Sequence, residues 1–165
     1  MSRTVYINGQ YIAEEDAKIS VFDRGFLFSD GVYEVTTVLE SKLISFEAHL
    51  TRLHRSLREL DMNEACSDDE LLNIHRKLVE TNNVKEGLVY LQVTRGAAER
   101  DFFYPDSDTP SSLFLFTQEK TLVNAPLAER GAKVVTVEDQ RWSRRVTVFK
   151  VKTISHTLDS IQCYF

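Results

Sequence analysis

Apolar and polar residues alternate from the start of the chain. Residues 5–12, Val-Tyr-Ile-Asn-Gly-Gln-Tyr-Ile, set an Asn8-Gly9 pair between two short β-rich runs, a strong local signal for a two-residue type I′ hairpin. A second β-rich pair, residues 32–39 and 42–46, brackets the polar Glu40-Ser41 and predicts another hairpin. Between the hairpins, residues 21–31 mix aromatics, two glycines and two aspartates with neither strand nor helix period, which reads as a packed functional loop.

The period then changes. Phe46, Leu50, Leu53, Leu57 and Leu60 fall at spacings of four, three, four and three, a single stripe on a helix. Ser67-Asp68-Asp69-Glu70 reads as a capping box ahead of Leu71, Ile74, Leu78 and Val79, and predicts a second helix that ends near Asn82-Asn83. Residues 88–94, 112–117 and 132–137 are three further strands, the second apolar enough for burial on both faces. Strands, two helices, then strands is the order of an α+β domain with helices on one side of a largely antiparallel sheet, and not of an alternating doubly wound fold. The pattern lapses at Leu122-Val123-Asn124-Ala125-Pro126, as at a linker. This divides the chain into an N-terminal α+β domain at 1–121, a linker at 122–126 and, at 127–165, the start of a second α/β domain. There Ile154, Leu158, Ile161 and Phe165 keep helical spacing without a Gly or Asn stop, which predicts an interrupted helix and a domain too short to close its own core.

Composition narrows the function classes. With 42% hydrophobic and 27% charged residues the chain is of average globular make-up, and no apolar run approaches the roughly 20 residues of a membrane helix. The N-terminus carries neither an apolar h-region nor a cleavage site, so a cytoplasmic location is expected. A net charge of −5 argues against nucleic acid, whose binding needs a dominant basic surface, and for small-molecule ligands. Cys66 and Cys163 form no C-x-x-C pair, and His49, His54, His75 and His156 form no H-E-x-x-H pair, so neither a disulfide framework nor a metal site is expected. Ser155, His156 and Asp159 are the residue types of a hydrolase triad, but no nucleophile-elbow motif accompanies them. The basic run from Arg141 to Lys152 reads as a solvated strand or a cofactor-side surface.

Several motifs occur in a telling order. Residues 21–35, Val-Phe-Asp-Arg-Gly-Phe-Leu-Phe-Ser-Asp-Gly-Val-Tyr-Glu-Val, lead into His49-Leu50-Thr51-Arg52-Leu53-His54-Arg55-Ser56, then Thr94-Arg95-Gly96 with Ala97-Ala98-Glu99-Arg100-Asp101, then Arg141-Trp142-Ser143-Arg144-Arg145. This series resembles the class IV (fold type IV) aminotransferases over nearly the whole chain, and the loop at Arg100 is similar to that of the D-amino-acid transaminase type. The resemblance implies a homodimeric enzyme that uses pyridoxal 5′-phosphate to move an amino group between a D-amino acid and a 2-oxo acid. Branched-chain aminotransferases and aminodeoxychorismate lyases share the fold and stay open as alternatives. So does a non-catalytic fragment or dimerisation module.

The resemblance also assigns roles. By position alone Arg52, roughly 200° round the helix from Leu50, is a solvated arginine; the resemblance places it on the cofactor phosphate, which a guanidinium fork suits. Tyr33, in phase with Val35, is by default a core tyrosine and Arg100 a loop charge; the resemblance gives both to the substrate α-carboxylate. Phe102 stands where D-amino-acid transaminases commonly carry a histidine, so one donor of that grip is missing. In the family, Arg-Trp-x-Arg-Arg is followed almost at once by Asp-Ile-Lys. Here Val146-Thr147-Val148 follows Arg145, and the best match comes four residues later as Val151-Lys152-Thr153. Lys152 is then the Schiff-base lysine, with Lys150 in reserve and a solvated lysine as the plain alternative. The family's acid for the pyridine nitrogen has no counterpart up to Phe165, which predicts weak cofactor binding and little turnover by these 165 residues.

Overall fold

A computed structural model describes residues 2–126 and 130–137. Strand β1 (Thr4–Ile7) turns through Asn8 and Gly9, both at positive φ, into β2 (Gln10–Ala13). Two such residues make the type I′ turn whose twist matches that of the flanking strands. The second hairpin joins β3 (Gly31–Leu39) to the two-residue β4 (Lys42–Leu43) through Glu40 and Ser41, again both at positive φ. The pairing expected for residues 42–46 is therefore shorter than predicted, because Ser45 is already the N-cap of a helix.

That helix, α2 (Phe46–Glu59), buries Phe46, Leu50, Leu53 and Leu57, and α3 (Asp68–Thr81) buries Leu71, Ile74, His75, Leu78 and Val79. The Ser67 hydroxyl accepts from the Glu70 N–H at 3.3 Å and caps α3 as the sequence predicted. Strands β5 (Glu86–Thr94) and β6 (Ser112–Glu119) follow. The six strands lie in the order β2-β1-β6-β5-β3-β4, and every pair is antiparallel. This is the α+β arrangement read from the sequence.

The register puts Val32, Val38, Val89, Leu91, Val93, Leu113 and Leu115 on one face, where they join the apolar residues of α2 and α3 in a single core. Tyr33, Val35, Tyr90, Gln92, Phe114 and Phe116 take the other face and are only partly buried. Strand β6 is thus buried on one face, not two as its apolarity suggested. Its phenylalanines are shielded by neighbouring rings instead of by a second layer of helices.

Residues 21–31 are more regular than the sequence indicated, since Arg24–Phe28 form a short helix, α1, with Asp23 as N-cap. Five residues are too few for a hydrophobic period to register. Residues 132–137 form no strand, and Val134 and Val135 are more than four-fifths exposed. A strand exists only through its partner, and none pairs there among the described residues. Leu122 and Val123, in the expected linker, donate their N–H groups to the Glu86 carboxylate at 2.5 and 2.8 Å. The interrupted helix, Cys163, and the basic run 141–152 with Lys150 and Lys152 lie outside the described residues.

Candidate active site

Alternation along β3 sends Glu34 to the core face, in phase with Val32, Thr36 and Val38. A carboxylate there must be paired or pay heavily for lost hydration. Its partners come from α2. Arg52 Nε and Nη2 donate to the two Glu34 oxygens at 3.1 and 2.7 Å, and His49 Nδ1 lies 2.8 Å from Oε2. His49 and Arg52 are three residues apart and so share a helix face. The Arg52 side chain remains 55% exposed while Glu34 is almost fully enclosed. The carboxylate holds the guanidinium pKa above its ordinary value, through the hydrogen bond first, against a smaller desolvation effect. Arg52 is therefore neither buried nor free: one edge is anchored to the sheet.

Tyr33 follows the opposite phase and is no core tyrosine. Its ring stacks on Tyr90 at 5.6 Å and 12° between planes, and Tyr90 stacks in turn on Phe116 at 4.9 Å. The Tyr90 hydroxyl donates to Gln92 Oε1 at 2.7 Å, and burial followed by the charge of Tyr33 pushes its pKa up. The sheet thus carries a row of rings on the face turned away from α2. Arg100 lies elsewhere, on the exposed loop after β5, over the rings of Phe28 at 5.3 Å and Phe102 at 5.1 Å.

The motif around Asp23 explains how that loop is held. Asp23 is 1% exposed and its Oδ2 accepts from Thr94 Oγ1 at 3.0 Å and Ser112 Oγ at 2.7 Å, while Oδ1 accepts from the Gly25 N–H. Asp30 Oδ2 receives both Arg24 Nε and Arg95 Nε, at 2.9 and 2.8 Å. Arg24 Nη1 then reaches the carbonyls of Asp101 and Phe103, which bracket the ring that supports Arg100. Arg95 donates to the Leu60 and Asp61 carbonyls beyond α2. A Cβ at Gly25 would sit 2.3 Å from Thr94 Cγ2, so this knot requires glycine there.

The structure anchors Arg52 to Glu34 on the helix-covered face of β3, sends the neighbouring Tyr33 to the opposite face, puts Arg100 on a separate aromatic platform, and leaves Lys152 outside the described residues. Reading the sequence missed Glu34, His49, Arg24 and Asp30. Glu34 had a signal: an acid in phase with the buried positions of a β-rich run demands a cation. An open depression between α2 and the start of α3 is lined by His54, Arg58, Glu64 and Asp68, away from these residues. Among the described residues no group of three His, Cys, Asp or Glu side chains could hold a metal ion, and no helix is long and apolar enough to cross a membrane.

The family profile of amino-transferase class IV matches residues 31–161, from the first residue of β3 onward. The chain belongs to the class IV aminotransferases. D-alanine aminotransferases of this family from Staphylococcus aureus and Staphylococcus epidermidis are 36% and 38% identical over 140 residues, 85% of this chain and 49% of theirs. That of Listeria monocytogenes is 36% identical over 141 residues. The chain spans about half the length of these curated relatives. Among solved class IV folds, the branched-chain amino acid aminotransferase of Escherichia coli superposes with a TM-score of 0.70 at 19% identity, covering 78% of this chain and 43% of that one. At that identity the superposition speaks for the fold.

Proposed function

We propose that this chain contributes one side of a pyridoxal 5′-phosphate site and takes part in amino-group transfer between a D-amino acid and a 2-oxo acid. The observation that carries the proposal is Arg52. Its Nε–Nη2 edge is committed to Glu34, and the planar guanidinium keeps three further N–H groups, two on Nη1 and one on Nη2, in a geometry that matches a phosphate. The donor set therefore fits the cofactor's phosphate.

When bound, the cofactor supplies the electron-withdrawing ring that allows bonds at the substrate α-carbon to break. In this reading Arg52 binds the phosphate and excludes water from its inner side. The Lys152 amine, or that of Lys150, moves the proton at the α-carbon. The Tyr33 hydroxyl, with its ring fixed against Tyr90, binds the substrate carboxylate; the resemblance assigns Arg100 to the same carboxylate, from the separate aromatic platform on which it lies. The D-alanine aminotransferase names of the relatives favour a D-amino acid. Phe102, carried by the chain two residues beyond Arg100, adds an apolar wall instead of a donor. We also assign the working unit as a homodimer.

Borohydride reduction of the chain with pyridoxal phosphate, followed by peptide mapping, tests the proposal. The label is expected at Lys152, or Lys150, and is expected to fall about tenfold or more in Arg52→Ala, as the loss of charge-assisted hydrogen bonds requires. Stoichiometric labelling elsewhere, or labelling indifferent to Arg52, would leave the non-catalytic reading in its place.

A further inference from the structure

Three features of Glu34 are unexplained by the fold. It occupies a core-facing position of β3 that a valine or threonine fills at its neighbours Val32, Thr36 and Val38. It is 6% exposed, yet carries a charge. Both of its oxygens are used: Oε1 by Arg52 Nε, and Oε2 by Arg52 Nη2 and His49 Nδ1. A pair with one buried member is weak evidence for stability, because the desolvation of the carboxylate offsets much of the attraction. What such a pair does provide is a fixed geometry.

We propose that Glu34, braced by His49, is the positioning residue of the phosphate site: it locks the Arg52 guanidinium so that the end edge is presented to an incoming phosphate. The inference rests on the reading of Arg52 given above. An arginine that is more than half exposed ordinarily samples many rotamers, and holding it in one costs side-chain entropy. Two hydrogen bonds donated to a carboxylate rooted in the sheet meet that cost before any ligand arrives, which is preorganisation. They also use the side edge of the guanidinium and leave the end edge, so they orient Arg52 without competing for the hydrogens a phosphate needs. His49, one turn earlier on α2, keeps the carboxylate from following the arginine.

The sign of one effect separates positioning from simple charge. Glu34 is negative, so by Coulomb's law alone it opposes a phosphate, and neutralising it would tighten binding. If it positions Arg52, neutralising it weakens binding instead. The 165-residue chain is titrated with pyridoxine 5′-phosphate, which has the phosphate but no aldehyde to react with a lysine, and with inorganic phosphate as competitor. Wild type, Glu34→Gln, Arg52→Ala and the double variant are compared, with far-UV circular dichroism as the check on folding.

The expected result is a loss of about tenfold or more in Arg52→Ala and a several-fold loss in Glu34→Gln. In the Arg52→Ala background, Glu34→Gln is expected to leave affinity unchanged or raise it. Glu34→Gln that binds as tightly as wild type, while Arg52→Ala binds weakly, overturns the positioning role and leaves the phosphate site standing. Arg52→Ala that binds like wild type, or wild type that retains no ligand at millimolar concentration, overturns the phosphate site and the inference together. Should Glu34→Gln lose its far-UV signal, Glu34→Asp keeps the charge and retracts it by one methylene. Weaker binding is expected there too, and wild-type binding overturns the role.

Discussion

His75 is 2% exposed, with its Nδ1–H on the Leu71 carbonyl at 2.7 Å and its ring edge-on to Phe46 at 5.0 Å. Burial lowers its pKa from 6.5 to about 4, against the smaller opposing effect of that hydrogen bond. The folded chain thus holds a neutral imidazole where the unfolded chain takes up a proton as pH falls below 6.5. The unfolded state then binds more protons, and stability declines between pH 6.5 and 4, by about 3 kcal/mol in all. Above 6.5 this contribution is fully present. Urea unfolding at pH 7 and pH 5 is expected to show the loss, and His75→Gln to flatten it; an unchanged slope in the variant would assign the acid sensitivity to other groups. Cys66 moves the opposite way, its thiol pushed up to about 11 by burial and then by Glu70 and Asp68, so it is no nucleophile at neutral pH.

The β1–β2 hairpin joins the sheet through only a short register, Tyr6 opposite Leu115 and Ile7 opposite Phe114. Two asparagines make up the difference. Asn8 Oδ1 accepts from the Leu113 N–H at 2.7 Å, and Asn82, the C-cap of α3, brackets Thr4 by accepting from its N–H and donating to its carbonyl, both at 2.8 Å. Asn82 also donates to Thr117 Oγ1 at 2.9 Å, tying helix end, edge hairpin and β6 at one point. Asn82→Ala is expected to cost about 2 kcal/mol, since it strands backbone groups as well as removing bonds. Hydrogen exchange is expected to quicken across residues 4–13 while the β3–β5 pairing keeps its protection. Uniform quickening would mean that the hairpin and the central sheet open as one unit.

At the scale of the whole molecule, the described residues form one sheet with one covered face. The helices seal the Val32–Leu91–Leu115 side, and the aromatic side bearing Tyr33, Tyr90, Phe114 and Phe116 is covered by no described element. Phe26 on α1, and Phe102 and Phe103 in the Arg100 loop, are also well exposed. Apolar surface of this extent favours association. Sedimentation velocity is expected to show a dimer or larger species whose population falls in Phe116→Glu; a monomer at every concentration would remove the homodimer from the proposed function.

The hydrophobic period, together with turn residues at the hairpins, located the two long helices α2 and α3, both hairpins and the two central strands, because period 3.6 and period 2 are local and each long element repeats its pattern several times. Ser67 was legible as a cap, and Asn8-Gly9 as a turn, for the same reason: the interaction closes within a few residues. The role proposed for Arg52 rests on likeness to a family, and its partners Glu34 and His49 went unread. What the sequence could not reveal depends on which strands become neighbours. Glu34 meets His49 and Arg52 because β3 packs under α2, Asp23 meets Thr94 and Ser112 because β5 ends and β6 begins beside α1, and the rings of Tyr33, Tyr90 and Phe116 align because their three strands are neighbours in the sheet with the rings on one face. Contacts of that kind are fixed by sheet order, and sheet order is set by the burial of the whole core and not by any one segment.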